Sequence, residues 1–470
     1  MKTKLLPYLS DIRFWILLTF LIKGIGITDP PIEIGHNWRQ TTVAMVARNF
    51  LEIDNNILYP RIDIAGEKSG ITGMEFPIFN YLIYLISLLF GYEHWYGRII
   101  NLIISSFGSW YFYKLIIRFF NPKIAFNATL ILLFSIWFSY SRKIMPDTFA
   151  VSLVIAGMYY SSNYLEKRTL IHLLIGSFLI GLGVLSKLPA GVVLSPFVWL
   201  LFSNKIKTAS KITFGFILGL FLIPSLFWYF YWVPYLNTKF EFWHFFMGKS
   251  LGTGLSEFLS QPSIFIEKFY GTTLFYLGFI ACLIGLYFMI KTRHKLLLAT
   301  FAISLGAIVI ILLKSGLTFA HHTYYMIPFV PAMALLAGYG LSKIPSPVLS
   351  ILLLVGIASE GILNQQVDFR IPEKHLEIMT LEQDLDEFSS PSDLILINSG
   401  FVPTPMYIAH RKGWVEENES ILNEELIQSK KMKGLKLIVV LKEAFGTHLT
   451  LPYKKLKENE KYIFYSLSKQ

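Results

Sequence analysis

The chain has one cysteine, Cys282, among 470 residues. That excludes a disulfide framework and any cysteine-built metal site. Charge is also scarce. Asp, Glu, Lys and Arg supply 16% of the residues, against roughly 25% in an average soluble domain. Internal repeats and low-complexity tracts are absent. So is a nucleotide-binding glycine loop, because the Gly400-Phe401-Val402-Pro403 turn lacks the spacing of a phosphate cradle. The polar segments hold no basic patch interleaved with aromatics, so a net charge of +11 does not point to nucleic acid. What the chain has in excess is apolar surface. Hydrophobic residues make up 54% and aromatics 16%, and mean hydropathy is +0.52. These values exclude an ordinary soluble enzyme and a disordered chain.

A spanning helix needs about 20 mostly apolar residues. About eleven segments read this way, at 12–28, 99–119, 124–141, 147–164, 169–186, 189–204, 211–232, 271–290, 296–313, 324–342 and 347–363. The first lacks a small-residue cleavage site and runs into a polar loop, so it reads as an anchor. The stretch 77–90, PIFNYLIYLISLLF, is short for a span and suits an interfacial helix. Charge agrees. With 77–90 kept on one face, four basic loops fall on the side of Lys2 and Lys4: Lys114/Arg118/Lys123, Lys167/Arg168, Lys205/Lys207/Lys211 and Lys291/Arg293/Lys295. The positive-inside rule makes that side the cytoplasm. The expected location is a bacterial inner membrane, with membrane lipids as partners and the N-terminus cytoplasmic. The loops 29–97, 141–147 and 233–270, the turns near 187 and 314–323, and the tail then lie outside. His244 and the aromatic run 227–234 read as headgroup anchors.

From residue 364 onward long apolar runs stop and charge rises. Short apolar strands are expected at 393–398, 435–441 and 461–467, with helical patterns between or before them. The expected architecture is an all-α polytopic membrane domain over 1–363, with interfacial helices in the first outer loop, 29–97. A small α/β domain follows over 364–470.

Polar groups collect on the outer face. The first loop carries Trp38, Arg39, Gln40, Asp63 and Glu75. The turn S-R-K-I-M-P-D holds Arg142 and Asp147, Lys187 ends a span before Pro189, and His321, His322, Tyr324 and Tyr325 begin another. Ionisable groups at span ends are costly and often functional. A carboxylate there can deprotonate an acceptor or hold a divalent metal. Arg and Lys can neutralise a phosphate leaving group. Each group also has a plain reading: Asp147 as a helix cap, Lys187 as a snorkelling side chain, Arg39 and Gln40 as headgroup contacts, the tyrosines as interfacial anchors.

In order along residues 10–365 come the amphipathic W-R-Q-T-T-V-A-M-V-A-R-N-F, G-M-E-F-P before an interfacial helix, Arg98 at a span start, R-x-x-x-P-D at Arg142–Asp147, Lys187-Leu188-Pro189 and His322-x-Tyr324-Tyr325-x-x-Pro328. This order resembles the GT-C superfamily of integral-membrane glycosyltransferases. More closely it resembles the bacterial relatives of dolichyl-phosphate-mannose–protein mannosyltransferases and of lipid A aminoarabinose transferases. The resemblance implies an inverting glycosyltransferase that takes a sugar from a polyprenyl-phosphate donor to a glycan, lipid or protein acceptor outside the cytoplasm. A glycan ligase or polymerase, and a lipid-linked glycan transporter, are the alternatives.

Many members carry an Asp-Glu pair where this chain has Arg39-Gln40, so the resemblance supplies no base. Glu75, Asp147 and Asp63 compete for that role. Arg142, Lys187, His322, Tyr324 and Tyr325 are the expected phosphate ligands, and Trp38, Arg39, Gln40 and His321 the expected substrate contacts. A divalent metal is compatible with carboxylates plus His, although no H-x-x-x-H spacing occurs.

Reporter fusions test the topology: Glu75 and Asp147 are expected on the same side of the bilayer. Opposite sides would remove the basis for pooling these residues.

Overall fold

The computed structural model describes residues 8–201, 203–204, 206–243 and 248–469. Lys2, Lys4, Lys205 and His244, used in the topology above, lie outside the described residues. Contacts divide the chain into two compact units. One comprises Met1–Ile27, Arg98–Tyr231 and Phe246–Gln366; the other comprises Thr28–Gly97, Trp232–Phe245 and Val367–Gln470.

The first unit is helical. Each of the expected spans is a helix or a pair of helical pieces. Among the described residues, five helices are long and apolar enough to cross a membrane, or six if the pieces Pro262–Thr272 and Phe275–Lys291, bent by 86°, form one span. The other segments are interrupted or diluted. Pro122–Phe134 stops at Ser135, and Leu170–Ser186 has 17 residues. About eleven is therefore a count of helical segments, not of full-length apolar helices.

Two antiparallel helices organise this unit. Pro146 opens Pro146–Lys167, where its missing N–H costs nothing. Arg168 ends that helix in the left-handed region, with φ of 58°. Leu170–Ser186 then returns along it, and glycines set how closely the two approach. A Cβ on Gly157 would lie 2.7 Å from the Gly176 carbonyl oxygen, and one on Gly183 would lie 2.6 Å from that of Ala150. The start of one helix, with Asp147, thereby meets the end of the other, with Lys187.

The second unit joins the first loop to the tail. Its sheet has the order β2-β1-β3-β5-β4, formed by β1 (Leu394–Ile397), β2 (Lys412–Val415), β3 (Leu435–Leu441), β4 (Tyr453–Glu458) and β5 (Tyr462–Lys469). β1 pairs in parallel with β2 and β3. β5 runs antiparallel to β3 and β4. β1, β3 and β5 fall on the three expected apolar runs. β2 and β4 are additional, and their sequences, K-G-W-V and Y-K-K-L-K-E, lack an apolar run.

One face of the sheet shares a core with helix Asn37–Glu52, through Ala44, Met45, Phe50, Ile395, Val439 and Tyr407. The first loop also completes the edge of β2. Gly66 N donates to Gly413 O at 2.7 Å, and Gly413 N donates to Asp63 O at 2.9 Å. A Cβ on Gly413 would collide with the Ile395 carbonyl. His410 ties three segments together. Its Nε2 meets Glu52 at 2.9 Å and its Nδ1 meets Glu382 at 2.7 Å. The hydrogen bond to Glu52 raises the His410 pKa above its ordinary value, against the opposing effect of burial.

Helix Ile78–Phe90 follows Pro77 and has 13 residues. At 1.5 Å per residue it is about 20 Å long, below a hydrocarbon thickness of about 30 Å. It packs in the second unit through buried Phe79 and Ile83, and Asn80 Nδ2 donates to Val43 O at 2.8 Å.

Gly183→Val should destabilise the detergent-solubilised protein by about 1–3 kcal/mol through overpacking, read as a lower Tm. Gly215→Ala, at a site with nothing within 4 Å, should leave Tm unchanged.

Candidate functional site

In the first unit the site grows from the turn between Phe134 and Pro146. Ser135 ends one helix, a short turn of helix covers Trp137–Tyr140, and Met145 turns extended before Pro146. Asn101, on the neighbouring helix Tyr96–Phe119, pins this turn. Its Nδ2 donates toward the carbonyls of Tyr140 at 2.9 Å, Lys143 at 2.9 Å and Met145 at 3.1 Å. Thr148 Oγ1 donates to Asn101 Oδ1 at 2.9 Å. A buried polar network of this kind fixes the direction of the side chains it carries.

Asp147 lies in the first turn of its helix, where the helix dipole favours negative charge. Its Oδ1 is 3.2 Å from Lys187 Nζ. Lys187 Nζ is also 5.2 Å from the centroid of the Tyr324 ring. Tyr324 stacks on His322 with centroids 5.4 Å apart and an interplanar angle of 9°. Four of the residues expected from sequence, Asp147, Lys187, Tyr324 and His322, thus form one chain of contacts. Tyr325 is buried and stacks on Phe319, which is a core position. His321 is exposed at the end of helix Leu317–His321.

Cations gather beside this chain. Arg142 Nη2 donates to Gly26 O at 2.8 Å, and Arg98 Nη1 reaches the same carbonyl at 3.3 Å. Lys23 Nζ donates to Ser141 Oγ at 2.9 Å. Among the described residues, the buried charged side chains of this unit are five cations, Lys23, Arg98, Arg142, Lys143 and Lys187, and one carboxylate, Asp147.

The second unit holds two further clusters. Arg39, buried on helix Asn37–Glu52, pairs with Glu75. Gln40 Nε2 donates to Glu33 Oε1 at 2.8 Å. Trp38 is half-buried on the same helix. Asp63 belongs to the other cluster. Arg48 Nη2 donates to its Oδ2 at 2.9 Å, and Asn49 Nδ2 to its Oδ1 at 2.7 Å. Arg48 Nη1 continues to Tyr407 O at 3.0 Å, and the Tyr407 and Tyr92 hydroxyls share a hydrogen bond of 2.9 Å. Burial works against the Arg48 charge, but Asp63, Tyr407, Tyr92 and Glu52 together outweigh it and the pKa is raised. Burial also raises the Tyr92 and Tyr407 pKa values. Asp63 is therefore held in a clamp that fastens the first loop to the tail.

Sequence reasoning missed Lys23, Asn101 and Glu33. Asn101 is a lone amide inside an apolar run, and Glu33 is a buried carboxylate in P-P-I-E-I. Those positions were the available signal. Among the described residues, no three His, Cys, Asp or Glu side chains gather as metal ligands.

Residues 75–228 match the family model for dolichyl-phosphate-mannose-protein mannosyltransferase. No curated protein sequence matches the chain. Among solved structures, the chain is similar to ArnT from Cupriavidus metallidurans bound to undecaprenyl phosphate. The TM-score is 0.56 at 14% identity, covering 96% of this chain and 98% of that one. It is also similar to the oligosaccharyltransferase of Archaeoglobus fulgidus, at a TM-score of 0.56 and 13% identity, covering 91% of this chain and 70% of that one. The archaeal oligosaccharyltransferase AglB from Archaeoglobus fulgidus, in complex with an inhibitory peptide and a dolichol-phosphate, matches with a TM-score of 0.56 at 13% identity, over 91% of this chain and 69% of that one. The chain has the GT-C membrane fold of these proteins.

Asp63→Asn leaves Arg48 buried without its counter-charge. It should cost about 3–5 kcal/mol of stability, measured by thermal unfolding. Wild-type stability in this variant would show that the clamp is not structural.

Proposed function

We propose that the chain is an inverting membrane glycosyltransferase. It moves a sugar from a polyprenyl-phosphate carrier to a glycan, lipid or protein acceptor on the extracytoplasmic face of a bacterial inner membrane. The observation that supports this reading is the chain of contacts that joins Asp147, Lys187, Tyr324 and His322 in the membrane unit. A carboxylate there can take a proton, and a lysine flanked by tyrosine and histidine can bind a departing phosphate.

In this reading the acceptor O–H gives its proton to a carboxylate. Its oxygen bonds to the anomeric carbon as the bond from that carbon to the phosphate oxygen breaks. The electron pair leaves with the lipid phosphate, which Arg142 and Lys187 neutralise and Tyr324 and His322 help to bind. Asp147 and Glu75 are the two candidates for the base, each paired with a buried cation, Lys187 and Arg39 respectively. Asp63 is assigned to structure, because its two oxygens are engaged by Arg48 and Asn49. Trp38, Arg39 and Gln40 are assigned to substrate binding.

The fold is shared with ArnT and with an oligosaccharyltransferase, so the assay supplies both a radiolabelled monosaccharyl and an oligosaccharyl polyprenyl phosphate. Consumption of the monosaccharyl carrier is expected. Glu75→Gln or Asp147→Asn should lower transfer by roughly 10²–10⁴-fold for the residue that acts as base, with insertion and elution as in wild type. Full activity in both variants would overturn the site. Movement of an intact carrier across liposomes without its consumption would instead indicate a transporter.

A further inference from the structure

Helices Ile12–Lys23 and Tyr96–Phe119 are tied together at one end. There Arg98 Nη1 reaches the carbonyl oxygens of Gly26 at 3.3 Å and Ile27 at 3.4 Å. Toward the other end a groove of about 370 Å³ lies between the two helices. Ile16, Leu17 and Phe20 form one wall, and Ile103, Phe107 and Trp110 form the other. Ser106 also lines it, but its hydroxyl is committed to Leu102 O at 2.7 Å. Such walls suit hydrocarbon rather than a sugar or a peptide.

One end of this apolar groove is cationic. Arg13 lines it. Asp11 accepts from Arg13 Nε at 2.9 Å and Nη2 at 2.6 Å, and the Arg13 side chain is still 73% exposed. On the facing helix Trp110 stacks on Tyr113, with centroids 5.7 Å apart and planes 27° apart. Lys114 Nζ lies 5.7 Å from the centroid of the Trp110 ring. Arg118, one turn further on, is already paired with Glu166. Arg13 and Lys114 together outweigh Asp11, so the mouth of the groove is positive. Trp and Tyr at the same level are the residues that settle among lipid headgroups.

We infer that this groove holds an acyl chain of an anionic glycerophospholipid, with the lipid phosphate between Arg13 and Lys114. A cationic end on an apolar groove matches an acidic head on a hydrocarbon chain. On the sidedness read from the basic loops, the lipid belongs to the cytoplasmic leaflet. It is distinct from the sugar carrier. Arg98, which shares the Gly26 carbonyl with Arg142, stands about 24 Å along its helix from Lys114. A phosphate held at Lys114 is therefore out of reach of Arg142.

The test uses the purified full chain in detergent, stripped of lipid, and reads its Tm against three separate titrations. These are dioleoyl phosphatidylglycerol, phosphatidylcholine with the same chains, and a polyprenyl phosphate. Phosphatidylglycerol is expected to stabilise at a concentration at least tenfold lower than phosphatidylcholine. Arg13→Gln combined with Lys114→Gln should weaken the phosphatidylglycerol response by tenfold or more and leave the polyprenyl phosphate response unchanged. Ser106→Phe fills the groove and should weaken the phosphatidylglycerol response with both cations retained. If one variant fails to fold, the other carries the test, and the comparison of the two phospholipids on the wild-type chain stands in either case. Equal stabilisation by the two phospholipids would overturn the inference, as would a wild-type phosphatidylglycerol response in either folded variant. Loss of the polyprenyl phosphate response in the Arg13/Lys114 variant would overturn it too, and would give the groove to the sugar carrier.

Discussion

Helices Pro146–Lys167 and Leu170–Ser186 meet backbone to backbone at Gly157, Gly176 and Gly183, and the polar centre of the membrane unit depends on that closeness. In lipid, apolar side chains gain little by leaving hydrocarbon for each other, so packing of small residues holds such helices together. Larger residues at these glycines would push the Asp147 end away from the Lys187 end. The ion pair between them, and the stacking of Lys187 over Tyr324, both inherit their geometry from the glycine contacts. Asn101 then fixes the turn that presents Arg142 and Lys143. One set of sterically small positions thus determines where several buried charges point.

The second unit is held differently. Its sheet buries one face against helix Asn37–Glu52. The Arg48–Asp63 pair and the backbone bonds of Gly66 and Gly413 close the edge. The first loop and the tail, more than 250 residues apart in sequence, make a common core. Long-range burial gives that loop the rigidity that its own short helices lack. It also explains why Arg39 and Glu75 can be fixed on a segment that reads in isolation as an exposed outer loop.

Much of this was legible in the sequence. Apolar runs mark the helical segments, and the runs at 393–398, 435–441 and 461–467 mark three strands. The edge strands escaped because an edge is dressed with charge and glycine, as Lys412, Gly413, Lys454 and Lys455 show. Sidedness of the charged turns pooled Asp147, Lys187, His322 and Tyr324, and these side chains lie in a chain of contacts. The pairing of Asp63 with Arg48 was not legible, because the two meet only once the loop has folded back. Lys23 was invisible for a simpler reason. A terminal lysine on an apolar helix is ordinary, and only its inward direction sets it apart.

His410 gives the second unit a dependence on its medium. Its two carboxylate partners come from the first loop and from the start of the tail, and Glu52 lifts its pKa above 6.5. The protonated ring therefore contributes its full stabilisation below about pH 6.5, and loses it as pH climbs through the raised value. Acid fastens these segments and alkali slackens them, so a compartment that acidifies would find this part of the molecule at its most firmly joined.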